Sequence, residues 1–307
     1  MSGFTATLWG VRGSIPCPGP DTVRYGGNTL CLELRYGPED NLVIVDAGSG
    51  IRALGVHLMK TQLPKGPIKA KMLFSHTHWD HIMGFPFFTP LFVPSTELEI
   101  YGPVTFEEDS LDKVIGGQLQ YRYFPVTMAD LAAKMSYHRL QETTLELEPG
   151  LHIETKYLNH PITTLGYRCT YGGKVIATLF DHEPFRNLFA ASEDDPYYDA
   201  DVVQEGALAA AEENLRIEEF VRGADVVIHD AQYTMKEYRK GRLGWGHTPM
   251  ETAINTCARA GVRKLVIIHH DPERTDAQID ALQATYRAHL AGKTVMELVF
   301  AVEGMVV

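Results

Sequence analysis

The sequence predicts a layered α/β fold, with sheet in the middle and helices outside, and three observations predict it. Short apolar strands crowd the first 50 residues, helix and strand alternate toward the C-terminus, and an apolar strand near position 70 runs into a loop dense in histidine. Strands followed by strand–helix repeats bury their apolar faces in stacked layers. With 307 residues and 45% hydrophobic content, the chain can build one large core or two modest ones. Evenly spread apolar stretches, unbroken by a Pro/Gly/Ser-rich linker, favour a single domain over residues 1–307.

Each element has its own warrant. Strands are expected at Thr5–Val11, Thr29–Arg35 and Leu42–Val45, separated by Gly/Pro-rich turns. The third runs into Asp46-Ala47-Gly48-Ser49-Gly50, which sets a carboxylate at a strand end and lets the chain turn tightly into a helix over Ile51–Lys60. Ala70–Phe74 is the apolar strand that delivers the histidine loop. The aromatic, proline-punctuated stretch Gly84–Phe92 reads as a packed loop and short helix beneath a site, or alternatively as an apolar pocket wall. Leu98–Tyr101 is expected as a strand, Leu111–Gln118 as a helix and Leu151–Leu158 as a strand. Leu208, Leu215, Phe220 and Val221 fall at helical spacing within Val202–Val221, and Gly223 stops that helix. Ala224–Ile228 follows as a strand. Thr248-Pro249-Met250-Glu251 reads as a capping box with proline at the first helical position, opening a helix that closes at Gly261. Leu265–Ile268 is a fully apolar strand ending at His269.

Composition excludes several classes. The net charge is −11 with no strong basic run, which argues against a long electrostatic track for nucleic acid and against a polybasic membrane anchor. Met1–Thr7 lacks a basic region followed by an apolar core, and no apolar run approaches membrane-spanning length. A soluble, cytoplasmic protein without a membrane partner is expected. Cys17, Cys31, Cys169 and Cys257 are far apart and form no Cys-x-x-Cys pair, so buried free thiols are expected, with Cys17 the most exposed.

The run Ser75-His76-Thr77-His78-Trp79-Asp80-His81 packs four potential metal ligands into six residues. Alternate side chains of an extended segment share a face, so His76 and His78 can reach one metal. The turn that follows aims Asp80 and His81 at a second position about 3.5 to 4 Å away. This segment resembles the signature of the metallo-β-lactamase-fold superfamily of hydrolases, and the resemblance continues along nearly the whole chain. It implies a four-layer αββα sandwich. Two metals need further ligands, each a histidine or carboxylate at a strand end. His160 follows a strand and precedes Pro161, and Asp181 ends the apolar run Thr178-Leu179-Phe180, where an unpaired carboxylate is costly to bury. The resemblance makes Asp181 the bridging carboxylate, with His182 as the alternative. His269 looks like the family's last histidine ligand, with His270 as the alternative. On this assignment His76, His78 and His160 hold one of two divalent ions, Asp80, His81 and His269 hold the other, and Asp181 spans both. Nitrogen and oxygen ligands suit zinc, and also manganese or iron. Asp46 sits where the family places a carboxylate that orients the ligand loop; otherwise it is a turn carboxylate.

The third quarter narrows the resemblance. Ala224–Gln232, then Gly246-His247-Thr248, then Leu265–His269 are similar in order and spacing to the ribonuclease Z-like phosphodiesterase branch. The branch motifs His-Glu-Ala-Thr and His-Ser-Thr read here as His-Asp-Ala-Gln and His-Thr-Pro. The resemblance implies that His247, ahead of a helix N-terminus, contacts phosphate or protonates the leaving group. His229 and Asp230 are expected to orient it. Asp80 is expected to accept a proton from the attacking water. Ribonuclease Z usually inserts a long arm that grips transfer RNA between its fourth histidine and the bridging aspartate, whereas only about 20 residues separate His160 from Asp181. Full-size transfer RNA is therefore not the expected partner. A small anionic phosphodiester, cyclic or nucleotide-like, is expected instead, attacked by a hydroxide held between two metals. The acidic, aromatic run Ser192-Glu193-Asp194-Asp195-Pro196-Tyr197-Tyr198-Asp199 reads as a lid, a homodimer contact or a solvated loop. Three other readings compete: a carboxyl-centred hydrolase (lactone, thioester or β-lactam) on the same metal pair, an iron redox protein, and a non-catalytic metal-binding module. His78 argues against the second, because diiron relatives usually carry an acidic ligand there. The full set of seven ligands argues against the third.

Overall fold

A computed structural model describes residues 3–103, 110–147, 149–189, 192, 194 and 196–307; Met1, Ser2, Glu193 and Asp195 of the segments above lie outside them. Strand alternation sets the layers. The first sheet runs in chain order through β1 (Phe4–Gly10), β2 (Cys31–Tyr36), β3 (Asn41–Val45), β4 (Lys69–Leu73), β5 (Glu97–Pro103) and β6 (Lys134–Leu140). It is antiparallel up to β3 and parallel from there on. The second sheet contains β7 (Thr144–Leu147), β8 (Leu151–Leu158), β9 (Thr164–Tyr171), β10 (Lys174–Leu179), β11 (Val226–Asp230), β12 (Lys264–Ile268) and β13 (Glu297–Phe300). It is antiparallel up to β10 and parallel beyond.

Val43 and Val45 of β3 point between the sheets, where they join Ile153, Tyr167, Ile228 and Val266 in a shared core. Leu42 and Ile44, one residue out of phase, join Met72 and Ile100 under helices α1 (Ile51–Thr61), α2 (Trp79–Ile82) and α3 (Leu111–Gly116). The outer face of the second sheet, with Val227, Leu265 and Ile267, lies under α4 (Ala200–Val221), then α5 (Met235–Arg239), α6 (Met250–Arg259) and α7 (Asp276–Leu290), of which α4, α6 and α7 supply the apolar contacts. The result is a four-layer αββα sandwich. Both faces of its central strands are covered, which is why they read as continuous apolar runs. Each such buried side chain contributes roughly 1.5–3 kcal/mol.

The structure sorts the local expectations, and the one it overturns is the Thr248 cap. Of the two readings of Gly84–Phe92 the packed loop is the one seen: Phe85, Phe88 and Leu91 are fully buried against α1, and Phe87, Thr89 and Phe92 are exposed. Thr248 does not cap α6: its hydroxyl donates to the His182 carbonyl at 2.5 Å, Pro249 occupies the cap position, and Glu251 accepts the Met235 amide. Capping boxes form instead at Thr127/Asp130, Thr234/Glu237 and Thr275/Gln278. Among the described residues no helix is long and apolar enough to cross a membrane. Cys31, Cys169 and Cys257 are buried free thiols and Cys17 is half-buried.

Candidate metal centre

In each sheet the strands change from antiparallel to parallel pairing at one place, β3/β4 and β10/β11, and the crevice outside the carboxyl ends of such strands is where α/β sheets bind ligands. Asp46 follows β3 and the 75–81 loop follows β4. Asp181 follows β10, Asp230 ends β11, His269 follows β12 and His160 follows β8. Asp46, Asp181 and His269 adopt positive φ of 61°, 52° and 63°. A non-glycine residue held there costs on the order of 1–3 kcal/mol, and such strain gathers at functional sites.

Two overlapping groups result. His76, His78, His160 and Asp181 form one, and Asp80, His81, Asp181 and His269 the other; within each, the ligand atoms lie within 4.8 Å of one another. Asp181 Oδ2 is 3.5 Å from His76 Nε2, 3.7 Å from His160 Nε2 and 3.3 Å from His81 Nε2, while its Oδ1 is 3.3 Å from His269 Nε2. Asp80 Oδ2 lies 3.1 Å from His269 Nε2 and 3.4 Å from His81 Nε2, and accepts the Ser14 amide at 2.8 Å.

Partners behind the rings fix which nitrogen faces inward. The Ser75 hydroxyl donates to Asp46 Oδ2 at 2.7 Å and so can accept His76 Nδ1–H at 3.0 Å. His81 Nδ1–H donates to Asp46 Oδ2 at 2.7 Å, and His160 Nδ1–H to the Gly246 carbonyl at 2.9 Å. With Nδ1 used as a donor, each Nε2 presents its lone pair to the centre. His76 Nε2, His81 Nε2 and Asp181 Oδ1 are buried without a hydrogen-bond partner. Close backbone approach is part of the same construction. A Cβ on Gly13 would fall 2.2 Å from His269 Nδ1, and one on Gly246, at φ 85°, 2.2 Å from His160 Nδ1.

The electrostatics ask for cations. Asp46, Asp80, Asp181 and Asp230 are at most 6% exposed, and among the described residues none has a lysine or arginine within 4.0 Å. Burial pushes the Asp46 carboxyl up. Burial would also raise Asp181 and Asp80, but neighbouring His269 and His81 hold Asp181, and His81 and His269 hold Asp80, well below the carboxylate range. Burial keeps His76 neutral and takes His160 down to about 4; it lowers His81 too, but Asp181, Asp80 and Asp46 outweigh it and push that imidazole well above its ordinary value. Neutral imidazoles interleaved with buried carboxylates are the donor set of a divalent-metal site. The positive charge facing these carboxylates comes from the histidines, His81 above all, and charge buried at this density is costly without such a partner. A third cluster adjoins it. His247 Nδ1 is 3.0 Å from Asp230 Oδ2, and its ring stacks on His269 with centroids 4.8 Å apart. Burial lowers the His247 pKa, but Asp230 and the other carboxylates outweigh it and bring the group to about 9.

Comparison with known proteins places this geometry. No protein-family model matches the chain. The ribonuclease Z of Lactococcus lactis subsp. lactis (strain IL1403) is 26% identical over 302 residues, covering 88% of each chain. The metallo-β-lactamase fold protein YhfI from Bacillus subtilis superposes with a TM-score of 0.64 at 18% identity, over 99% of this chain and 98% of that one. Human tRNase Z, short form, gives 0.61 at 20% identity, over 99% and 98%. The chain has the metallo-β-lactamase fold and is similar over most of its length to ribonuclease Z.

Within this metallo-β-lactamase fold the two one-residue alternatives point away from the centre. His182 Nδ1 accepts the Asn159 amide, and His270 Nε2 lies 2.9 Å from the Ala301 carbonyl with its ring on Phe300. The pairing of His229 with Asp230 is corrected. On β11 Asp230 shares the inner face with Ile228, whereas His229 shares the helix face with Val227. It lines a cavity of about 210 Å³ with His182, Thr248 and Thr252. Sequence reading missed Ser75, which joins Asp46 to His76, and Arg12. Arg12 is fully buried and donates to the carbonyls of Gly26, Asp271 and Arg274, tying the N-terminal loop to the one after His269. Glu183 was also missed. Its carboxylate accepts the amides of Gly244 and Gly246, each at 2.8 Å, and so holds the carbonyl that orients His160. An arginine and a glutamate distant in sequence from their partners leave no local signal.

Proposed function

We propose that the protein is a metal-dependent phosphodiesterase that cleaves a small or short phosphodiester with a pair of divalent metals. The observation that carries the reading is the sharing of Asp181 between two groups of inward-facing ligand atoms, of which His76 Nε2, His81 Nε2 and Asp181 Oδ1 have no hydrogen-bond partner, with the His247–Asp230 pair alongside. The relation to ribonuclease Z supports phosphodiester hydrolysis. His76, His78, His160 and Asp181 would hold one metal, and Asp80, His81, His269 and Asp181 the other, with zinc favoured and manganese or iron compatible. Bound there, the metals supply Lewis acidity toward a phosphoryl oxygen and bring the pKa of water near 7.

The chain's own groups do the rest. Asp80, near the rim beside the Ser14 amide, can take a proton from the attacking water. Asp230 holds His247 Nδ1, leaving Nε2 to deliver a proton to the departing alkoxide. Between β9 and β10 only Gly172 and Gly173 intervene, at φ 55° and 82°. That tight hairpin leaves no inserted arm between His160 and Asp181, which supports a substrate smaller than transfer RNA. An apolar wall at Phe85–Phe92 would suit a carboxyl-centred substrate, and the burial of Phe85, Phe88 and Leu91 in the core weakens that reading. The test is hydrolysis of bis(p-nitrophenyl) phosphate before chelation, after it, and after zinc or manganese is restored. Turnover that disappears and returns with metal is expected. No turnover at full metal occupancy would sink the reading.

A further inference from the structure

The segment that brings His247 into the site starts as an exposed arm. In a chain of net charge −11, Lys236, Arg239, Lys240 and Arg242 set four cations within seven residues, all exposed. The guanidinium carbon of Arg242 lies 4.3 Å from the Trp245 ring centroid and 5.6 Å from that of Tyr233. The Tyr233 ring is 6.0 Å from His247, so this stack adjoins the third cluster. Trp245 remains 53% exposed. Among the described residues no carboxylate lies within 4.0 Å of the Arg242 or Lys240 cation.

This exposure is built in. Gly241, Gly244 and Gly246 take φ of 136°, 83° and 85°, a path closed to most side chains. Glu183, 4% exposed, holds that path by accepting the Gly244 and Gly246 amides and the Tyr238 hydroxyl. A buried carboxylate is costly unless hydrogen-bonded this fully. The chain thus fixes a loop whose two largest side chains, Arg242 and Trp245, face solvent. Next to them a cavity of about 420 Å³ opens toward the loop after His269, lined by Tyr233 and Gln278, the cations Lys240, Arg242 and Arg274 and the carboxylates Glu237, Asp271 and Glu273, of which Glu237 is paired with Arg274; its volume is within the range of small-ligand sites.

We propose that this arm is a nucleoside subsite: Trp245 stacks on the base, and Arg242 with Lys240 engages phosphate oxygens of a nucleotidyl phosphodiester. The proposal deepens the phosphodiesterase reading and rests on it. A flat ring and an anion are required in one ligand, which a nucleotide supplies and a sugar cyclic phosphate or an aliphatic lactone does not. Base–aromatic stacking changes affinity by about 5- to 150-fold per base and tolerates any base, and the guanidinium fork matches phosphate oxygens.

The test is calorimetric binding of uridine 5′-monophosphate and ribose 5-phosphate to the metal-loaded protein and to its Trp245→Ala, Arg242→Ala and Arg242→Lys variants. The wild type is expected to bind the nucleotide at least about tenfold more tightly. Trp245→Ala removes that preference, Arg242→Ala weakens both ligands, and Arg242→Lys restores only part. Equal affinity for the two ligands in the wild type, or a preference kept in Trp245→Ala, overturns the proposal. So does a Trp245→Ala variant that turns a dimer into a monomer with nucleotide binding unchanged, since the arm would then be a contact between copies. Wild-type turnover of methyl p-nitrophenyl phosphate, which has no base, reports on the phosphodiesterase reading separately: its absence sinks that reading, while the binding ratio still decides the arm.

Discussion

The two halves of the sandwich furnish the centre in different ways. From the first come Asp46, His76, His78, Asp80 and His81, on two neighbouring strand ends, with ring orientations fixed by the local Asp46–Ser75 network. From the second come His160, Asp181, Asp230, His247 and His269, one per loop, each set by contacts distant in sequence, such as Gly246 on His160. A contiguous ligand loop can be specified by its own turn. A dispersed set depends on sheet register and on the loops packed behind it.

That contrast can be broken at graded sites. Asp181→Ala removes the one group common to both ligand sets, and turnover should fall by on the order of 10²–10³ or more, read as kcat/KM on the nitrophenyl diester. Asp46→Ala attacks the local network, and should cost about 10–100-fold in metal affinity or activity, measured by competition with a chelator. A loss as large as that of Asp181→Ala would mean that Asp46 binds metal directly. His247→Ala should keep its metal and lose at least about tenfold with poor leaving groups, as expected of a general acid. An unchanged rate across leaving groups would remove it from the mechanism. Arg12→Ala should act through stability, by about 1–3 kcal/mol, because its removal takes the donor from the Gly26, Asp271 and Arg274 carbonyls while Asp276 keeps the Arg24 and Tyr25 amides; a denaturant midpoint equal to wild type would contradict the pinning of the two loops. His229→Asn should change turnover by no more than about twofold. A loss matching that of Asp230→Asn would return His229 to the reactive face.

The same contrast explains what the sequence made legible. The 76–81 run is readable because its candidate ligands are adjacent, and the central strands because both of their faces are buried. The choices of Asp181 over His182 and His269 over His270 turn on residues at positive φ, a conformation that sequence does not announce. His229 lies on the helix face because strand parity sends neighbours to opposite faces, so one residue of register decides whether a side chain faces the histidine–carboxylate cluster or the helices. Strand β6 escaped notice because its Lys134-Met135-Ser136-Tyr137-His138-Arg139 stretch is polar along a sheet edge. Helix α7 escaped because its buried side rests on little more than Ile279, with Leu282, Tyr286 and Leu290 partly covered. Thr248 resembles a cap by residue type, yet its hydroxyl is taken by the His182 carbonyl.

Metal content per chain tests the central claim most directly, measured by elemental analysis on the wild type and on His160→Ala, His269→Ala and Asp181→Ala. Two metals in the wild type, about one in each histidine variant and markedly fewer in Asp181→Ala are predicted. One metal per wild-type chain, or two retained in Asp181→Ala, would contradict a pair of sites joined through that carboxylate.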